Sequence, residues 1–265
     1  MSTPSSQTIP TLAELRREID RIDEAMHRLL MERGDIIGQL IATKRTQETG
    51  SAFRPAREAD MMRRLVARHG GRLPFSAVEH IWRTIISGFT HVQAPYSVHV
   101  DTSGDAGAMR DLARFQMGFD VAVVVQDGPE AVADAVASSQ GDLGLIPLGA
   151  ARTPWWERLG RAGQPQVMAR LPFAIYPGRP AATPGLVIAR PLGDAAVDEY
   201  AVVAADFAAA PPPGMFDVLA EHVSDRWRGL VAVPSERLPE GALRVGSYAA
   251  PIDLMAAAAP QAAVG

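Results

Sequence analysis

LAELRREIDRIDEAMHRLLMERGDIIGQLIATK, residues 12–44, is the stretch whose reading decides the fold. It holds no Pro, and Gly only at positions 34 and 38, so nothing in it stops a helix. Thr11 stands just before it and Glu14 three residues on, the pattern of a capping box. At about 100° per residue, Leu15, Ile19, Ile22, Met26, Leu29, Ile37 and Leu40 fall within about 40° of one direction. Arg33 lies on that direction, and Lys44 about 20° from it. Two cations therefore sit on the apolar stripe, where a charge without a counter-charge is costly. Such side chains can lift their heads to water at the edge of the stripe, or pair with acids of a neighbouring helix. They can also bracket an anion, being about 16 Å apart along the axis.

The length of the helix adds a second constraint. Thirty-odd residues span about 50 Å, whereas a globule of about 95 residues has a radius of gyration near 13 Å. A partner helix of similar length is needed, and self-pairing in an intertwined homodimer supplies one. Arg16 lies about 25 Å from Arg33 along its own helix, too far to share a small ligand. In an antiparallel pair, Arg16 of the other copy is not so limited. Three cations converging from two chains suit a compact dicarboxylate.

The rest of the chain fits a two-part organisation. A break at TQETGSAFRP is followed by helical stretches from about 55 to 69 and from about 76 to 93, which closes a helical domain over 1–95. Residues 96–265 change grammar. Short β-rich runs (YSVHV, VAVVV, LGLIPL, LVIA, YAVVA, LVAV) alternate in part with helical stretches such as DAGAMRDLARF and PEAVADAVASS. That alternation predicts an α/β domain with a largely parallel sheet. The pair Trp155-Trp156 is expected to anchor packing.

Composition bounds the function. The 265 residues are 47% hydrophobic and 21% charged, enough to bury a core in one large domain or two ordinary ones. A net charge of −4 gives no global pull toward nucleic acid or anionic lipid. The absence of cysteine excludes disulfides, thiolate catalysis and zinc–thiolate sites. The six histidines show no metal-ligand spacing, so no metal is expected. The polar N-terminal stretch MSTPSSQTIP and the lack of a long apolar run lead to the expectation of a cytoplasmic protein without membrane or nucleic-acid partners. The six arginines between 54 and 72 come without interleaved aromatics and read as a solvated basic face.

Four segments together resemble a known family. LAELRREIDRID (12–23), ERGDIIGQLIATK (32–44), FRPAREADMMRRL (53–65) and IWRTIISGFTHVQ (81–93) are similar, in order and spacing, to the all-helical chorismate mutases. The resemblance covers residues 11–93. It implies a three-helix intertwined dimer with an active site shared between chains. The implied reaction is the Claisen rearrangement of chorismate to prephenate, toward phenylalanine and tyrosine, with no cofactor. The family's substrate-binding positions fall on Arg16 of the other chain, Arg33, Lys44, Arg57, Glu58 and Gln93. On this pattern Arg33 and Arg16 take the carboxylates. Lys44 and Gln93 stabilise charge growing on the ether oxygen, as preorganised donors do best. Glu58 holds a ring hydroxyl, and Arg57 supports the site. Lys44, Gln93 and Arg33 would be catalytic. Two positions depart from the family pattern: Arg54 replaces an acid, and Phe89 a serine.

Residues 97–205 resemble, more faintly, the catalytic domain of prephenate dehydratases, a periplasmic-binding-protein-like α/β fold. VVVQDGPEAVADAVASSQGDLGLIPLG (123–149) keeps that family's D-x-G-x-x-P at Asp142, Gly144 and Pro147. The continuation Glu-Asn-Ser is replaced by Leu148-Gly149-Ala150, and no Thr-Arg-aromatic sequence occurs in 96–265. The expectation is a degenerate dehydratase-like domain behind a chorismate mutase. The alternatives are a bifunctional mutase–dehydratase, and a non-catalytic helical dimer with a small-molecule-sensing domain.

Overall fold

A computed structural model describes residues 10–44, 51–191, 198–238 and 242–254. Contacts divide the chain into two compact units, Met1–Arg45 and Thr46–Gly265.

The first unit is one helix, α1 (Leu12–Lys44, 33 residues). Its start is the capping box read from sequence. Thr11 Oγ1 accepts from the Glu14 amide at 3.3 Å, and the Thr11 amide and hydroxyl each donate to Glu14 Oε2 at 2.8 Å. These bonds hold the Glu14 carboxyl below its ordinary value, the Thr11 amide contributing most. The first part of the apolar stripe is exposed, Leu15, Ile19, Ile22, Met26 and Leu29 being between 44 and 62% exposed, whereas Ile37 is buried and Leu40 half-buried.

The second unit opens with two helices, α2 (Pro55–Arg68) and α3 (Phe75–Gln93). Pro55 begins α2 where its missing amide hydrogen is not needed. Pro55, Ala59, Met62 and Leu65 recur at helical spacing, and all are buried. Ala59, Met62 and Leu65 pack with Phe173 and Ala249 of the following domain. Helix α3 departs from that rule. Its buried residues are Glu79, Arg83, Ile86, Ser87 and Thr90, a largely polar face turned inward.

A mixed sheet follows. Strands β1 (Ser97–Asp101), β2 (Ala122–Gln126) and β3 (Leu143–Pro147) are joined through α4 (Ala106–Met117) and α5 (Pro129–Ser138), and β1 pairs in parallel with both β2 and β3. These are the crossovers the alternation predicted. The remaining strands are β4 (Gly149–Ala150), β5 (Gln166–Leu171), β6 (Ala174–Ile175), β7 (Gly185–Ala189), β8 (Tyr200–Phe207), β9 (Asp217–Val223), β10 (Trp227–Pro234), β11 (Arg244–Tyr248) and β12 (Ile252–Asp253). Ten form one sheet in the order β2-β1-β3-β7-β5-β11-β8-β10-β9-β4, with β6 and β12 paired apart. The expectation of a largely parallel sheet fails beyond β3. Strands β7, β8, β9 and β10 pair antiparallel with their neighbours β3 and β5, β10 and β11, and each other. The reason is the connections. The β9–β10 link runs 224–226, far too short for the crossover that parallel pairing demands. Strands β3 and β4 lie third and tenth in the sheet, yet only Leu148 separates them in sequence.

The two largest apolar clusters divide most of the domain between them. One gathers β1, α4 and the inner face of β5; the other gathers α5, β3, β7, β8 and β10. Trp155 and Trp156 are buried in the second, edge to face at 5.8 Å, the packing role expected of them. Among the described residues, no helix is long and apolar enough to cross a membrane, and no grouping of His, Asp and Glu could hold a metal ion.

Candidate active site

Arg16, Arg33 and Lys44 ride on α1, so the unbroken helix keeps the stripe register that the sequence argument requires. Arg16 is exposed and Arg33 half-buried; the Lys44 side chain lies outside the described residues. Arg57, Glu58 and Gln93 belong to the second unit, and each is considered there by itself.

Arg57 is exposed near the start of α2. Glu58, one position on, turns inward. Its Oε2 accepts from Arg83 Nη1 of α3 at 3.0 Å, with only 14% of the Glu58 side chain and 3% of the Arg83 side chain in contact with solvent. Burial raises the Glu58 pKa and lowers that of Arg83, and each charge opposes the effect of burial on the other. Gln93 ends α3, and its Nε2 donates to the Phe89 carbonyl at 3.0 Å. One of the two Nε2 hydrogens is thereby spent on its own helix. Arg54, at the acid position of the family pattern, donates to the carbonyl of Phe53 at 2.8 Å, fixing the entry to α2.

Sequence reading missed a charged cluster behind Glu58. Glu79, fully buried on α3, accepts from Arg179 Nη2 at 2.8 Å and from the Tyr176 hydroxyl at 2.6 Å. Arg179 is 6% exposed, donates also to the Pro180 and Ala181 carbonyls at 2.9 and 2.7 Å, and lies 4.6 Å from the Phe115 ring centroid. Burial and the hydrogen bond to Glu79 push the Tyr176 hydroxyl up. A signal was available, since Glu79 and Arg83 are one turn apart and share a helix face with Ile86.

The dehydratase-like elements resolve into packing. Asp142 accepts from the Ser97 amide at 2.8 Å and lies 3.1 Å from His99 Nε2, tying β1 to the start of β3. A Cβ on Gly144 would meet Val132 of α5 and Ile188 of β7, each at 2.6 Å, so glycine is what lets helix and strand approach. A crevice of about 550 Å³ opens at the carboxyl ends of β1, β2 and β3, where open α/β sheets bind ligands. Its lining sets Asp101, Asp127 and Glu130 against Arg152. Asp105 caps α4 with its own carboxylate, accepting from the Ala108 amide at 2.9 Å. That charge balance disfavours a dianion.

Comparison with known proteins agrees with the helical half. Residues 15–94 match the family described as chorismate mutase type II. The "Bifunctional chorismate mutase/prephenate dehydratase" of Neisseria gonorrhoeae (strain ATCC 700825 / FA 1090) is 35% identical over 97 residues, which cover 35% of this chain and 25% of that protein. The chain thus spans about a quarter of the length of the curated relative it matches. No solved structure matches. Residues 15–94 therefore carry a chorismate mutase type II domain, and a further α/β domain built on a mixed sheet follows it.

Proposed function

We propose that the chain is a chorismate mutase, with its helical domain over 1–95, an α/β domain over 96–265, and a homodimeric active site. The observation that carries this reading is that one family match, 15–94, takes in every residue of the candidate set: Arg16, Arg33, Lys44, Arg57, Glu58 and Gln93. The reaction rearranges one molecule and needs no nucleophile or cofactor. It needs the enolpyruvyl arm folded over the ring, and donors aimed at the ether oxygen as its bond breaks. Arg33 and the other copy's Arg16 hold the two carboxylates. Lys44 and Gln93 serve the ether oxygen, Gln93 by releasing the Phe89 carbonyl. Glu58 takes the ring hydroxyl, with Arg57 in support.

The exposed stripe of α1 supports the dimer. A solitary helix with Leu15, Ile19, Ile22, Met26 and Leu29 in water has no reason to stay folded, and an identical helix covers that face. The deciding experiment follows chorismate loss and identifies the product. Prephenate is the expected product. No turnover would refute the proposal and leave a helical dimer without catalysis. Phenylpyruvate formed at neutral pH would assign the second activity named in the relative to the crevice at the ends of β1–β3.

A further inference from the structure

The buried face of α3 holds two acids' worth of competition for one guanidinium. Arg83 and Glu79 are one turn apart on the same helix, so their side chains are neighbours, and a Glu followed four residues on by a cation is the favourable order. Arg83 nevertheless donates to Glu58 on α2, not to Glu79. The reason lies in the loop after β6. Tyr176 and Arg179 occupy both carboxylate oxygens of Glu79, at 2.6 and 2.8 Å. Arg179 is itself locked by two carbonyls of its own loop and by the face of Phe115. The four charged groups balance, and Glu79, Arg83 and Arg179 are all within 6% exposure. Among the described residues, Arg83 Nε and Arg179 Nε have no hydrogen-bond acceptor, so neither guanidinium is saturated. A buried charge that loses its counter-charge is penalised heavily, so the remaining groups rearrange to cover it.

We propose that Arg179 is a positioning residue for Glu58: by satisfying Glu79 together with Tyr176, it leaves Arg83 to hold Glu58. The α/β domain thereby reaches the carboxylate that the mutase reading sets against the substrate's ring hydroxyl. The catalytic consequence rests on that reading; the charge relay does not. Without Arg179, Arg83 turns to Glu79, and Glu58 is left buried with no counter-charge. The other groups facing Glu58 do not replace it. Arg170 of β5 shares its cavity with Glu58 but is engaged with Asp217, and the Tyr96 hydroxyl is buried and tied to Ser87, its pKa raised to about 12. Arg54 is bonded to the Phe53 carbonyl, and Arg57 points to solvent.

The test reads Glu58 directly. The full-length protein is labelled with carboxyl-¹³C glutamate, the Glu58 resonance is assigned through Glu58→Gln, and its titration is followed by NMR. kcat and KM for chorismate are measured in parallel. Arg179→Met is expected to raise the Glu58 midpoint by at least ~1 pH unit, the scale of losing one close opposite charge. The acid limb of its kcat/KM profile is expected to move up by the same amount as the midpoint, so that activity lost at low pH is recovered by raising the pH. Glu79→Gln combined with Arg179→Met removes both charges, frees Arg83, and returns the Glu58 midpoint and the pH profile toward wild type. An unmoved midpoint in Arg179→Met overturns the proposal. So does a midpoint that the double variant leaves displaced, because that marks a general loss of packing. Should Arg179→Met not fold, Arg179→Gln removes the charge while keeping a polar side chain and is expected to raise the midpoint in the same direction; an unmoved midpoint there overturns the proposal. If the wild type does not turn over chorismate, the mutase reading falls, and the Glu58 titration still decides the relay.

Discussion

Ile19→Asp places a carboxylate in the middle of the exposed stripe of α1. Ile19 is 56% exposed in the single chain, so pairing with a second copy has about half of the side chain left to bury. Full burial of such a side chain is worth ~1.5–3 kcal/mol, so the remaining half is worth ~1–1.5 kcal/mol in each copy and ~2–3 kcal/mol in the dimer. At about 1.4 kcal/mol per tenfold, that area alone weakens dimerisation by roughly 30- to 140-fold. Burying the new charge adds to the loss. Sedimentation velocity across a micromolar concentration series measures the change, and the specific activity at each concentration should follow the dimer fraction, because the proposed site takes Arg16 from the other copy. A wild-type chain that is monomeric throughout, or a variant with an unchanged dissociation constant, would refute the reasoning. Activity independent of the dimer fraction would refute the shared site alone.

Lys44→Ala should lower kcat by ~100- to 1000-fold while the dimer persists, the scale seen when one preorganised donor to a developing oxyanion is removed; a loss of only a few-fold, measured by steady-state kinetics, would remove Lys44 from that role. Glu199 accepts from both Arg63 Nη atoms at 2.7 and 2.6 Å and from the Ala250 amide, and Arg63 leads in holding its carboxyl below the ordinary 4.5. A depressed carboxyl stabilises the fold above that value and ceases to do so as pH falls through its folded pKa. Glu199→Gln should therefore lose modest stability at neutral pH, ~1 kcal/mol or less since both side chains are about two-fifths exposed, and its Tm should fall less steeply than wild type on acidification. Gly246→Ala sets a Cβ 2.3 Å from the Val167 carbonyl oxygen and 2.4 Å from its nitrogen, at the one register point where β11 pairs with β5. Backbone cannot yield as a side chain can, so thermal unfolding should show ~3 kcal/mol of destabilisation, the upper end for overpacking, and a Tm within a degree of wild type would show that these strands are spaced differently.

The helices were legible because local chemistry writes them. Thr11 and Glu14 mark the start of α1, and Pro55 opens α2 where it was read. The early strands were legible as apolar runs. Strands β5 (QVMARL), β9 (DVLAEHV) and β11 (RVGSY) were not singled out, because charged or polar residues interrupt the apolar run in each. Pairing direction is not a local property, and it was misread where hairpins replaced crossovers. The same division applies to the site. Cations on the stripe of α1 announced themselves through periodicity. Glu79 and Arg83 obey that periodicity on α3 and could have been found by the same count. Tyr176 and Arg179 could not, since Arg179 lies 100 residues from the acid it satisfies and no spacing rule connects them.

The single-residue link between β3 and β4 has a mechanical consequence. In a flat sheet, the third and tenth strands would stand about 34 Å apart, at about 4.8 Å per strand. Pro147 and Gly149 can be no more than about 7 Å apart. The sheet must therefore curl until its tenth strand returns to its third, and Leu148 is the clasp, its amide bonded to the Pro184 carbonyl while Gly149 pairs with Ala220 of β9. The crevice lined by Ile146 to Thr153 sits at this clasp. The wall formed by Ile146 to Thr153 cannot swing away as a hinged lobe unless β4 peels from β9, so on that side the width of the crevice is held by the one-residue link together with the β4–β9 pairing.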